Sequence, residues 1–395
     1  MDIFEKCYAP GIADAYREKG IYPYFRALQT RQGPEVIMEH QRRIMLGSNN
    51  YLGLTSHPKV IEAAVKAVEQ YGTGCSGSRF LNGTLDMHVE LEERLAGFLH
   101  QEGAMTFSTG FQSNLGIISA LVGRNDYVIL DKEDHASIYD ACRLSYGKLL
   151  RYEHNDMEAL ERCLQRVPES AGALIVTDGL FSMSGDIANL PEIVRLAKTY
   201  GARVMVDDAH GLGTLGKGGR GTPSHFGLEQ EVDVYMGTFS KSLASLGGYM
   251  AGKSRIVDYV RHNSRPFIFS ASVPPASCAA ALAALNVLEE EPELPERLLR
   301  LSDFFREALK QRGMSIRESR TPIVPIFTYT ADRTLRIAME LYKQGLFVNT
   351  VLPPAAPADG CMLRTSLMAT LTEPLLEEAA DILSRVLSMP EYAMK

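Results

Sequence analysis

The sequence lacks the spacings that mark a metal centre. It has no C-x-x-C pair and no H-E-x-x-H, and its nine histidines show no ligand spacing. The six cysteines (Cys7, Cys75, Cys142, Cys163, Cys278, Cys361) are scattered, which suits free thiols in a reducing compartment rather than disulfides or structural zinc. A basic surplus is also missing. Lys and Arg total 41 against 48 Asp and Glu, a net charge of -7, so nothing stands ready to neutralise the phosphates of a nucleic acid. The start, "MDIFEKCYAPGIADAYREKG", mixes both charge signs without an apolar signal core. The longest apolar stretch, "ASCAAALAALNVL" from Ala276, is too short to span a bilayer. The expected location is the cytoplasm, with membrane contact at most peripheral, at the inner membrane face. Neither a repeat nor a low-complexity tract is visible.

What is present is enough chain, 395 residues, for a large core and a satellite. The apolar runs "AMTFST", "YVILD", "ALIVTD", "RVMVDD" and "VDVYMG" read as buried strands, with helical patterns such as "NDMEALERCLQRV" and "LPEIVRLAKTY" between several of them. That alternation predicts an α/β fold with a mostly parallel sheet covered on both faces. Three runs end in Asp131, Asp178 and Asp207. Open α/β sheets bind ligands beyond the carboxyl ends of their strands, so these acids outline a site. The expected layout is an arm over 1–50, a large domain over 51–289 and a small α+β domain over 290–395. The last would hold "IVPIFTY", "GLFVNTV" and "CMLRTSLM", after a long helical pattern interrupted by Pro292 and Pro295.

"HGLGTLGKGG" matches two nucleotide motifs. Gly211, Gly213 and Gly216 spell G-x-G-x-x-G, and Gly211 to Lys217 spell the start of a phosphate loop. Both motifs need a helix to begin at the glycines. "KGGRGTPSHFG" cannot start one, and Gly218 stands where a magnesium-binding hydroxyl belongs. A mobile glycine-rich excursion after a strand is the better reading.

"GTFSKSLASLGGYMAG" holds one charged side chain, Lys241, just after a strand and between the hydroxyls of Thr238 and Ser240. Dehydration in such surroundings favours the neutral amine, a nucleophile toward aldehydes. An amine that condenses with an aldehyde beside phosphate-binding hydroxyls describes a Schiff base with pyridoxal 5'-phosphate (PLP). This idea predicts companions. Asp207 would face the ring nitrogen, His210 would reach the ring hydroxyl, and His135 in "DKEDHAS" would cover a ring face. Gly110 and Phe111 in "FSTGFQSN" would open a helix toward the phosphate.

With "VDDAHGLG", "DHASIYDACRLS", "TDGLFSMSGD", "SNNYLGL", "GTGCSGSRFLNGT" and "LRTSLMA", the chain resembles the α-oxoamine synthases, PLP enzymes of the aspartate-aminotransferase fold (fold type I). The resemblance runs from about Gly47 to Thr372. Within the family, "GTFSKS" and the arm "GIYPYFR" resemble the soluble bacterial members that condense L-serine with a long-chain acyl-CoA. Sister members use glycine with acetyl-CoA or succinyl-CoA, or alanine with pimeloyl-CoA. The resemblance makes Lys241, Asp207, His210 and His135 the catalytic group. It assigns PLP also to Gly110, Phe111, Thr238, Ser240 and Ser182, and, from a second subunit of a homodimer with shared active sites, to Ser270 and Ser272. Asn50 and Arg364 would grip the amino-acid carboxylate. Four positions depart from the family pattern: Asp178 stands where sisters often carry Glu, Leu371 where His is usual, Leu352 where some carry Arg, and Asn49 where some carry Tyr.

Overall fold

The computed structural model describes residues 2–392 apart from 315 and 318. Contacts divide the chain into two compact units, Asn49–Arg300 and a second formed by Met1–Ser48 with Leu301–Lys395.

The larger unit is built on a seven-stranded sheet: β1 Gly103–Phe107, β2 Tyr127–Asp131, β3 Lys148–Tyr152, β4 Ala173–Asp178, β5 Arg203–Asp207, β6 Val234–Thr238 and β7 Gly248–Gly252. The spatial order is β1-β7-β6-β5-β4-β2-β3. β7 runs antiparallel to β1 and β6, and the remaining pairs are parallel. The five apolar runs fall on β1, β2, β4, β5 and β6. Those on β2, β4, β5 and β6 are continuous because strands with parallel neighbours, buried on both faces, have no polar side. One face is covered by α1 (Gly110–Leu121), α2 (Ala136–Leu144) and α3 (Ser254–Asn263), which contribute Ile117, Ile138 and Val260 to a core with Phe107, Val128, Val176, Met205 and Met236. Each such side chain contributes about 1.5–3 kcal/mol on burial. β2, β4 and β5 end at Asp131, Asp178 and Asp207, on one edge of the sheet.

The glycine-rich stretch after β5 is packed rather than loose. Leu212 and Leu215 are buried, and the only helical turns, Lys217–Gly219 and Thr222–His225, are too short to cradle a phosphate. Two of its glycines make room for Asp208. A Cβ at Gly211 or Gly221 would come within 2 Å of that carboxylate. Asp208 accepts from the Thr222 amide at 2.7 Å and the Thr222 hydroxyl at 2.6 Å, which closes the loop.

In the smaller unit, the hairpin Glu35–Met38/Gln41–Met45 pairs with Leu346–Phe347, so the expected arm shares a sheet with C-terminal residues. A second sheet joins Ile323–Tyr329, Cys361–Ser366 and Asn349–Val351. The long helical pattern resolves into Pro275–Glu290, which belongs to the larger unit, and Glu293–Gln311: Pro292 separates them, and Pro295 lies in the first turn of the second, where its missing N–H costs nothing. Leu371 is fully buried apolar core.

Candidate active site

A cavity of about 240 Å³ opens at the carboxyl ends of β4, β5 and β6. It is lined by Gly110, Phe111, His135, Asp207, His210, Thr238, Ser240 and Lys241, together with Asn114, Ser137 and Asp178. The N-terminus of α1 faces it. Thr109 caps that helix, its Oγ1 accepting from the Gln112 amide at 3.1 Å. The first amides, those of Gly110 and Phe111, have no partner within the helix. Glycine is required at 110 because a Cβ there would lie 2.8 Å from the Thr238 side chain. Thr238 Oγ1 donates to the Gly247 carbonyl at 3.0 Å and lies 2.9 Å from Ser240 Oγ. Hydroxyls and free helix amides thus converge, as an anion requires. Lys241 follows, half-buried.

A relay of hydrogen bonds sets the opposite wall. Asp207 accepts from Asn114 Nδ2 at 2.7 Å and from the Ala209 amide at 3.0 Å. The same Asn114 nitrogen donates to Ser137 Oγ at 2.8 Å, and Ser137 Oγ lies 2.7 Å from His135 Nδ1. The Ser137 amide also donates to Nδ1, so that nitrogen accepts and the ring proton belongs on Nε2. Burial lowers the His135 pKa, Lys241 adds to this, and Asp207 opposes it. The ring is therefore a neutral plane suited to stacking, with Phe111 edge-on at 6.3 Å. His210 Nδ1 lies 2.7 Å from the hydroxyl of fully buried Tyr51.

Behind this wall lies a group of buried acids. Asp134 accepts the amides of Asp131 and Asp178. Asp131 accepts from the Glu133 and Asn155 amides and from His154 Nδ1 at 3.0 Å, and His154 Nε2 lies 3.2 Å from Asp186. Burial works against a charge on His154, but the bonds to Asp131 and Asp186 and the field of Asp131 and Glu133 outweigh it and lift the imidazole to about 10. The imidazolium ties the loop after β2, which leads to His135, to the loop after β4, which carries Ser182.

Four expected residues of this unit lie off the cavity wall. Ser182 is half-buried in the turn after β4. Ser270 Oγ accepts from Gln112 Nε2 at 3.0 Å, and Ser272 Oγ makes hydrogen bonds to the Gly77 and Gly83 carbonyls. Asn50 is buried and bonded to Thr55 Oγ1 at 2.8 Å. In the other unit, Arg364 is buried mid-strand in Cys361–Ser366, with Ser366 Oγ at 2.6 Å. The sequence reading passes over Asn114, Ser137, Tyr51 and His154. Asn114 carries a signal: it lies four residues past Gly110, on the same helix face.

The residues present fit PLP. Gly110 leaves room at the anion cradle, Lys241 supplies an amine, and Asp207 is a carboxylate fixed by two donors. No group of three or more metal-ligating side chains occurs among the described residues.

The aminotransferase class I and II family model matches residues 42–383. A serine palmitoyltransferase of Sphingobacterium spiritivorum is 50% identical, over 96% of this chain and 95% of that protein. An 8-amino-7-oxononanoate synthase of Geobacter sulfurreducens is 45% identical, over 94% and 95%. Among solved structures, a serine palmitoyltransferase from S. paucimobilis with bound PLP and myriocin superposes with a TM-score of 0.94 at 36% identity, over 98% of each chain.

Proposed function

This chain belongs to the class I and II aminotransferase family, and from that premise we propose that it is a PLP-dependent serine C-palmitoyltransferase. It condenses L-serine with palmitoyl-CoA or a similar long-chain acyl-CoA to give 3-oxosphinganine, CoA and carbon dioxide, the entry step to sphingolipids. The observation that carries the chemistry is the meeting of Lys241, Asp207 and a neutral His135 in one cavity at the N-terminus of α1. The substrate choice is supported by relatives at 48–50% identity that bear the serine palmitoyltransferase name.

PLP, when bound, supplies a ring that takes up the electron pair left at the amino-acid Cα. The Gly110 and Phe111 amides with the Thr238 and Ser240 hydroxyls hold its phosphate. Asp207, fixed by Asn114 and Ala209, keeps a proton on the ring nitrogen. His135 would lie against its ring, and His210, steadied by Tyr51, would bond the ring oxygen. Lys241, as a free amine, removes the Cα proton of serine. The Cα electron pair then attacks the thioester carbon and CoA is expelled as the thiolate, which takes up a proton from solvent; carbon dioxide departs, and the proton held by Lys241 returns to Cα. Asn50 and Arg364 are assigned the serine carboxylate, Ser182 the cofactor, and Ser270 and Ser272 the cofactor of a second subunit in a homodimer. The enzyme acts in the cytoplasm. No helix among the described residues is long and apolar enough to cross a membrane.

The test is mass spectrometry of products from purified enzyme given serine, glycine and alanine with a mixture of acyl-CoAs. A long-chain 3-oxo base from serine is expected. Product from glycine or alanine alone, or from short-chain or pimeloyl thioesters alone, assigns the chain to a sister activity.

A further inference from the structure

Asp178 and Asp207 are register partners at the ends of adjacent parallel strands. Their backbones lie about 4.8 Å apart, and side chains at paired positions leave the same face of the sheet. Both residues are 4% exposed, and both line the cavity. Two carboxylates so close in a buried site do not both ionise cheaply, and the distribution of donors decides between them. Asp207 receives two N–H groups, from Asn114 and Ala209. Asp178 Oδ1 is buried with no hydrogen-bond partner among the described residues. The groups facing Asp178 point the same way. Burial raises its pKa well above the carboxylate range, and Asp207 and Asp131 push in the same direction. Lys241 and the His135 amide oppose them without prevailing. Asp134, from the loop after β2, occupies the Asp178 amide with a further carboxyl oxygen.

A charged oxygen left buried without a donor is costly, whereas a hydroxyl at the same place needs only an acceptor. We propose that Asp178 is a neutral carboxylic acid and that its hydroxyl, on Oδ1, is a fixed hydrogen-bond donor to an acceptor oxygen of the bound cofactor, leaving Asp207 as the carboxylate of the pair. The donor role rests on the PLP reading above; the protonation does not. The assignment makes Asp178 a positioning residue and separates two aspartates that sequence alone presents as equivalent strand ends.

Infrared difference spectra of the cofactor-free protein at neutral pH test the protonation. Burial also raises the Asp134 pKa and brings that of Asp208 to about 7, so the protonated-carboxyl band has several components. One of them should be lost in Asp178→Asn, and all should persist in Asp207→Asn. A spectrum unchanged by Asp178→Asn, or a band lost in Asp207→Asn, overturns the assignment. Asp178→Ser, neutral at every pH, serves the same comparison if the amide variant does not fold. PLP titration tests the donor. Asp178→Asn, which keeps a donor, should bind within about threefold of wild type, and Asp178→Ala about tenfold more weakly, roughly 1.4 kcal/mol. Equal losses in both variants, or none in Asp178→Ala, contradict the donor role. If wild type takes up no PLP, the cofactor reading falls and the donor role with it, while the infrared result still decides the protonation.

Discussion

Asp207 and Asp208 leave the end of β5 toward different regions. Asp207 enters the cavity and is held by Asn114. Asp208 turns into the glycine-rich loop and is held by Thr222. Neighbouring strand residues point to opposite faces, so one dipeptide serves a binding site and a loop anchor. Burial moves Asp208 up to about 7; Thr222's hydrogen bonds oppose this and Asp207 adds to it. The lesson is that a buried carboxyl takes its role from its donors and its outlook. Its sequence neighbour does not assign it.

The largest effect expected from breaking this contrast is on the cavity side. Asp207→Asn should lower kcat by about 10²–10³-fold through loss of a fixed charge opposite the ring nitrogen, with thermal stability near wild type. Steady-state kinetics and a melting curve check both halves. Next comes the support behind the cavity. His154→Gln should cost about 2–3 kcal/mol at pH 7, because charged hydrogen bonds to Asp131 and Asp186 are lost. His154 is lifted in the fold, so its contribution is complete below the unfolded value near 6.5 and is lost as pH rises through about 10. Denaturant curves of variant and wild type should therefore converge above pH 10. Gly110→Ala should weaken PLP binding by about tenfold, since the new Cβ crowds Thr238; fluorescence titration of the cofactor-free protein measures it. The smallest effect sharpens the loop side. Asp208 holds a proton in the fold that the unfolded chain releases near pH 4. Its contribution to stability is therefore full below about pH 4 and fades as pH rises through about 7. Asp208→Asn should flatten the decline in Tm across that window.

The same physics explains which parts were readable from sequence. β2, β4 and β5 stand out because buried parallel strands are unbroken apolar runs, and their terminal aspartates mark the ligand edge. β3 does not, because "KLLRY" is an edge strand with only two buried residues. β7 does not, because the glycines of "GYMAG" carry no strand signal, although all five residues are buried. Lys241, His135 and Asp207 could be placed at the cavity because each sits at or just past the end of a recognisable strand. His154 could not, since its partners lie 23 and 32 residues away in other loops. Tyr51 meets His210 across 159 residues, and local pattern carries no trace of that pairing.

Borohydride reduction of the PLP-loaded enzyme, followed by peptide mapping, tests the central claim most directly. The account predicts one pyridoxyl-modified residue, Lys241, with Asp207→Asn protein labelled at the same site under saturating cofactor. Label on another lysine, or none on Lys241 in cofactor-replete protein, would contradict it.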